Sequence, residues 1–282
     1  MTQEGNMRVG IIGVGNIGGI FADRLLGELE GLEKLYLLDR NQERLSNYSG
    51  ETERVVIAKT PGEVLENCTH VIISVKPQDC MELFAEVING KNSSPIIIST
   101  ITGIEIALIS RKTGLEKIAR IMPNVPSAIG RGVTGFVCSS SLTGREKKEV
   151  ERILRTMGEI VEVREKDLSA VTALSGSGPA FVFVIVESLI DVGLKMGLSY
   201  DVARELILGT LGGSVELLKV KGNHPGEFRH LVTSPGGTTI EGIYSLEREG
   251  LRGTIMKALF DTYLRAEEIN SELEVTHNGS SE

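Results

Sequence analysis

Arg8-Val-Gly-Ile-Ile-Gly13-Val-Gly15-Asn16-Ile17-Gly18 decides how this chain folds. A β-branched run stops at Gly13, and apolar residues then recur at helical spacing from Asn16 to Leu29, which predicts strand, tight turn and helix. In that setting each glycine has its own duty. Gly13 permits the turn, Gly15 lets backbone approach a pyrophosphate, and Gly18 lets the helix pack closely on the strand. The helix start, with Asn16 and Ile17, offers amides and partial positive charge to a phosphate. Asp39 follows Gly18 by 21 positions, at the end of the next strand. A carboxylate there accepts hydrogen bonds from an adenosine ribose and repels a 2′-phosphate, which favours NADH. The adjacent Arg40 is suited to pairing with that phosphate, so NADPH stays open.

Outward from this unit the same alternation continues. Strands are expected at Lys34–Leu38, Val55–Ala58, Thr69–Val75, Pro95–Thr100, Ala119–Met122 and Val133–Cys138. Helices fall at Asn41–Asn47, Pro61–Glu66, Gly103–Arg111 and Gly144–Met157, and the pattern implies βαβ units and a parallel sheet. Ligands of such sheets bind outside the carboxyl ends of the strands, so Ser74-Val75-Lys76-Pro77-Gln78 is expected to border a nicotinamide. Pro77 also serves as a plain strand terminator. Met122-Pro-Asn124-Val-Pro126 forms a stiff loop after another strand, and Asn124 supplies both a donor and an acceptor.

Near Glu165 the texture changes. Strand-length runs nearly vanish, and apolar residues recur at helical spacing, as in Ala203, Leu206, Ile207, Thr210, Leu211, Ser214 and Leu218 behind an N-cap at Ser199. Two domains follow, a Rossmann-type doubly wound sheet over 1–165 and an all-α domain over 166–282. The helix Phe181–Ile190 is apolar on nearly every side, which suggests burial in a subunit interface. Two small-residue turns stand out. Ser175-Gly176-Ser177-Gly178-Pro179 precedes that helix and is expected to expose amides at its N-terminus, where a carboxylate is held. Ser234-Pro-Gly236-Gly237-Thr238-Thr239 precedes a helix over Ile240–Glu249 and carries two hydroxyls where a cap needs one.

Composition excludes several classes. The chain has 282 residues, enough for two cores, and its net charge of −8 argues against nucleic acid as a partner. Three cysteines, Cys68, Cys80 and Cys138, give neither a disulfide framework nor zinc-ligand spacing, so no metal and a cytoplasmic location are expected. The most apolar stretches, such as Phe181–Val186, meet a charge short of the roughly 20 residues that span a bilayer. Met1–Arg8 and Glu274–Glu282 read as loose polar ends. His70, His224, His230 and His277 join no catalytic constellation.

Met122-Pro-Asn124, Thr172-Ala-Leu-Ser-Gly-Ser-Gly-Pro-Ala180, His224-Pro225, Ser234-Pro-Gly-Gly-Thr-Thr239 and Gly250-Leu-Arg-Gly253 occur in this order. In these segments the chain resembles the pyrroline-5-carboxylate reductase family along nearly its whole length. The resemblance implies a Rossmann domain, a helical domain that dimerises by interlocking, larger assemblies of dimers in some members, and an active site where both domains meet. It implies hydride transfer from NADH or NADPH to the cyclic imine of 1-pyrroline-5-carboxylate, giving L-proline. On that reading Thr238 and Ser177 are catalytic, and Ser175, Gly176, Gly178, Ser234, Gly236, Gly237, Thr239 and Asn124 bind substrate. Gly13, Gly15, Asn16, Ile17, Gly18, Asp39, Arg40, Val75, Lys76 and Pro77 bind the coenzyme.

Three positions depart from the family pattern. Val125 stands where threonine is usual, Phe181 where tyrosine is usual, and Asp39 where many NADPH-preferring members lack an acid. The first two leave open a related cyclic imine acid as substrate, and a silent dinucleotide-binding regulator is the alternative from another class. The chemistry itself needs no histidine. Hydride adds most easily to a protonated imine, a free imine takes that proton from water, and catalysis rests on positioning.

Overall fold

Strand β1 (Met7–Ile12) is buried at every position except Arg8, so it belongs inside a sheet covered on both faces. The computed structural model, which describes residues 6–48, 50, 53–89 and 94–278, places it there. After β1 come α1 (Asn16–Glu28), β2 (Leu32–Leu38), α2 (Gln42–Ser46), β3 (Val55–Ile57), α3 (Pro61–Asn67) and β4 (His70–Ile73). Then follow α4 (Cys80–Asn89), β5 (Ile96–Ser99), α5 (Ile106–Thr113), β6 (Ile118–Met122), β7 (Gly132–Cys138), α6 (Gly144–Arg155) and β8 (Gly158–Glu162). The sheet order is β3-β2-β1-β4-β5-β6-β7-β8. The chain winds outward from β1 to β3 and then returns to the other side of β1, so the order reverses between β1 and β4. A crevice opens at such a switch point.

Two apolar layers sandwich the sheet. Phe21, Leu25, Ile11 and Leu35 anchor one, and Phe84, Ile73, Ile97 and Ile109 the other. The second layer includes α4, and β8 extends the sheet edge; sequence periodicity had marked neither. The sheet is parallel as expected except at one place, where β7 runs antiparallel to β6. Only Pro123–Arg131 join them, too short for the crossover a parallel pair needs. The Thr143–Glu146 capping box starts α6, and Lys117 Nζ adds an ion pair to Glu146 at 2.6 Å. Together they hold the Glu146 carboxyl at about 2, well below its ordinary value.

The rest is helical: α7 (Leu168–Val171), a wide π turn (Thr172–Gly176), α8 (Gly178–Lys195), α9 (Tyr200–Lys221), α10 (Pro225–Leu231), α11 (Thr238–Arg248) and α12 (Leu251–Asn278). Contacts divide the chain into one compact unit of 1–177 with 262–282, and another of 178–261. The contact boundary at Ser177/Gly178 lies twelve residues beyond the expected division at 165/166, and the end of α12 groups with the sheet unit. Leu273 packs on the second apolar layer beside Gly103, and Asn270 Nδ2 donates to Ser169 Oγ at 2.8 Å. Glu274–Asn278 continue that helix, whereas a loose tail was expected; 279–282 lie outside the described residues. Likewise Met7 and Arg8 are strand, and 1–5 are not described.

In the second unit Ser199 caps α9 as expected, its hydroxyl accepting from Val202 N–H. Gly193 of α8 meets Ala203 of α9 so closely that an added Cβ would lie 2.8 Å from the alanine methyl. Most other apolar side chains of this unit face outward within the single chain, with Phe183 61% and Leu206 56% exposed.

Candidate active site: a nucleotide cleft and a serine–threonine turn

The glycine turn is tied to both neighbouring strands. Gly13 N–H donates to Leu38 O, and Ser74 N–H to Ile12 O, each at 2.8 Å. Gly13 has φ +93°, and a Cβ there would sit 2.5 Å from Ser74 O, so only glycine fits. A Cβ on Gly18 would collide with the Gly13 carbonyl. Gly15 differs. A Cβ there would meet only Arg44 Nη1, at 3.7 Å, so packing within the protein does not require glycine. Its bare Cα borders the cleft beside the start of α1, which no side chain caps. An uncapped helix start behind an open glycine fits a pyrophosphate.

The cleft at the switch point has a volume of 1270 Å³, above the roughly 300–1,000 Å³ usual for small-molecule sites. Gly13, Gly15, Asn16, Ile17, Asp39 and Arg40 line one end. Val75, Lys76 and Pro77 line it after β4, so the structure brings all the expected coenzyme residues together except Gly18, which packs behind the turn. Thr100 and Thr102, at the carboxyl end of β5, border it too and were missed. The rule that ligands sit beyond strand carboxyl ends would have found them. Thr100 Oγ1 donates to Ser74 Oγ at 3.2 Å, giving this wall a hydroxyl pair.

Asp39 is more deeply committed than its sequence position suggests. Its side chain is 7% exposed. One oxygen accepts from Val14 N–H at 2.7 Å and meets Arg44 at 3.3 Å; the other accepts from Asn41 N–H at 2.7 Å. The carboxylate therefore staples the glycine turn to the end of β2 while keeping lone pairs for a ribose. Arg40 turns to Glu82, at 2.6 Å.

Asn124 is likewise engaged by the protein. Its Oδ1 accepts from Val133 N–H at 3.0 Å, and its Nδ2 donates to Ser175 Oγ at 3.2 Å. The loop after β6 is held further by the buried Arg120, paired at 2.8 Å with Glu165, which also accepts from Ile106 N–H at 2.8 Å. The backbone at 175–178 differs from the expected one. Those residues are not a free helix start, because the π turn runs from α7 and Ser177 N–H donates to Thr172 O at 2.8 Å. Pro179, which has no N–H to return to the preceding turn, accounts for the widening.

Ser234–Thr239 form a tight turn that leads into a helix. Gly237 N–H donates to Ser234 O at 3.1 Å across Pro235 and Gly236, whose φ is +69°, a Pro-Gly turn. Helix α11 begins at Thr238, two residues earlier than expected, and its N-cap is Gly237, which has no side chain to spend. Neither Thr238 nor Thr239 caps the helix, so both hydroxyls stay uncommitted among the described residues.

No histidine lines the cleft. His70 is buried in β4 and pushed down to about 4 by burial, and His224 caps α10 by accepting from Gly226 N–H. Burial raises the Cys68 thiol to about 12 and those of Cys80 and Cys138 to about 11, so none is a thiolate nucleophile.

The chain is similar to known proteins along nearly its whole length. Residues 165–269 match the model of pyrroline-5-carboxylate reductase dimerisation, and 8–103 match NADP oxidoreductase, coenzyme F420-dependent. The chain is 38% identical over 264 residues to pyrroline-5-carboxylate reductase of Aquifex aeolicus, covering 93% of this chain and 97% of the relative. It is 33% identical to that of Synechocystis sp., covering 94% and 98%. Among solved structures it is similar to Plasmodium falciparum pyrroline carboxylate reductase with NADP bound, at TM-score 0.84 and 29% identity, covering 94% and 98%. The chain belongs to the pyrroline-5-carboxylate reductase family.

Proposed function

We propose that this protein reduces the C=N bond of 1-pyrroline-5-carboxylate to L-proline with NADH or NADPH, NADH being favoured. The observation that carries the reading is the chain-long similarity to reductases of that name, 38% identical over 93% of this chain. The nicotinamide coenzyme supplies the hydride when bound. The chain's own part is to bind and align. The α1 amides and Gly15 receive the pyrophosphate, Asp39 the ribose, and Ser74 and Thr100 border the reacting end. The Ser234–Thr239 turn offers amides and two hydroxyls to the substrate carboxylate, with Thr238 as the hydroxyl donor to the carboxylate or ring nitrogen. The Ser177 N–H is already spent on Thr172 O, so Thr238 carries more of this role.

The protein works as a homodimer through its C-terminal helices. The dimerisation match supports this, as does the helical run Glu165–Lys195, whose most apolar window is 11% buried in the single chain although it is apolar enough to cross a bilayer. A second copy covering that face satisfies it without a membrane. Three unpaired cysteines suit a reducing cytoplasm. Reduction of a six-membered cyclic imine acid is the second reading, favoured by Val125 and Phe181. Coenzyme oxidation by the pure protein with five- and six-membered imine acids decides between them. Turnover of the five-membered ring at the higher kcat/KM is expected; no oxidation with either ring refutes the function.

A further inference from the structure

Both arginines beside Asp39 are already engaged by carboxylates. Arg44 Nη1 lies 3.3 Å from Asp39 Oδ2. Arg40 Nη2 donates to Glu82 Oε2 at 2.6 Å, and its Nη1 lies 3.9 Å from Asp79 Oδ1. Arg40 follows β2, whereas Asp79 immediately precedes α4 and Glu82 lies in its first turn, so the cluster links the end of β2 to the start of α4. Arg40, Asp79 and Glu86 all line that cleft. Glu82 first, then Asp79 and Glu86, hold the Arg40 guanidinium above its ordinary pKa.

A coenzyme 2′-phosphate entering here meets the carboxylates of Asp39, Asp79 and Glu86, which line the cleft, and must detach an arginine to gain a bidentate partner. An adenosine 2′-hydroxyl needs neither. We propose that Glu82 is a positioning residue for coenzyme choice: it holds Arg40 on α4 and so denies NADPH the cation next to Asp39. This rests on the NAD(P)H reading above. Glu82 touches no coenzyme atom and acts only through Arg40. Its side chain is 65% exposed, and exposed pairs are weak, so the effect is about two- to fivefold.

The test titrates the full-length protein with NADH and with NADPH, following nicotinamide fluorescence without substrate, at low and near-molar salt. The parent, Glu82→Gln, Arg40→Ala and the double variant are compared, and thermal melts check that each is folded. Lys59 and Lys76, which also line the cleft, are common to all four. Glu82→Gln is expected to tighten NADPH about two- to fivefold at low salt and to leave NADH unchanged. The gain should shrink at high salt and vanish when Arg40 is alanine. An unchanged NADPH-to-NADH ratio in Glu82→Gln overturns the proposal, and so does an equal gain in the double variant. A parent that binds neither dinucleotide sinks the coenzyme reading and this proposal with it. Binding without imine reduction counts against the substrate alone.

Discussion

Replacing Asp39 by serine separates its two duties. In the fold its nearly buried carboxylate accepts from Val14 N–H and Asn41 N–H, both at 2.7 Å. Hydrogen bonds to a charged group contribute about 1.5–3 kcal/mol each, and a serine hydroxyl, being shorter, restores one at most. A net cost of about 2–4 kcal/mol follows, which lowers the melting temperature by about 5–10 °C for a chain of this size. The coenzyme effect is separate. Loss of the ribose acceptor weakens NADH roughly tenfold to a hundredfold, whereas NADPH loses that bond but escapes repulsion and gains access to a released Arg44. The NADPH-to-NADH preference should therefore rise at least about tenfold. Thermal unfolding and coenzyme titration on the same preparation measure both. An unchanged melting temperature refutes the stapling role, and equal losses for both coenzymes refute the ribose role.

Thr238→Ala should lower turnover or substrate affinity about tenfold to a hundredfold with almost no change in melting temperature, because Gly237 rather than Thr238 caps α11. Normal kinetics would remove Thr238 from the site. His70 has a folded pKa of about 4 because burial disfavours its charged form, while the unfolded value is about 6.5. The unfolded chain binds the extra proton in that window, so stability is full above about pH 6.5 and falls by up to about 3 kcal/mol as pH drops towards 4. His70→Gln should flatten that slope; an identical slope in chemical denaturation would clear His70 of the effect. Light scattering should show at least a dimer at micromolar concentration, and Phe183→Glu should shift it towards monomer, since Phe183 is 61% exposed in the single chain. A monomeric parent would refute the dimer.

Much of the molecule is set by local sequence. The turn at Gly13, the helix caps at Asn41, Thr60, Thr143 and Ser199, and the buried strands β1, β4 and β5 follow from steric freedom, short polar side chains and apolar runs. Each is decided within a few residues, so it could be read in order along the chain. The coenzyme site was legible for the same reason: a glycine fingerprint and the strand ends that face it are local signals placed by one topological rule. What needed the tertiary structure were choices between partners distant in sequence. Asp39 could be a solvated ligand residue until Val14, 25 positions away, was seen to claim it. Asn124 looked free until Ser175, 51 positions on, occupied its amide. Small residues at 175–178 resembled a helix start because sequence shows composition and hides whether the preceding turn is already helical. The direction of β7, the return of Leu273 to the sheet unit and the pairing of Arg40 with Glu82 likewise depend on which surfaces meet, and hydrophobic periodicity carries no address for its partner.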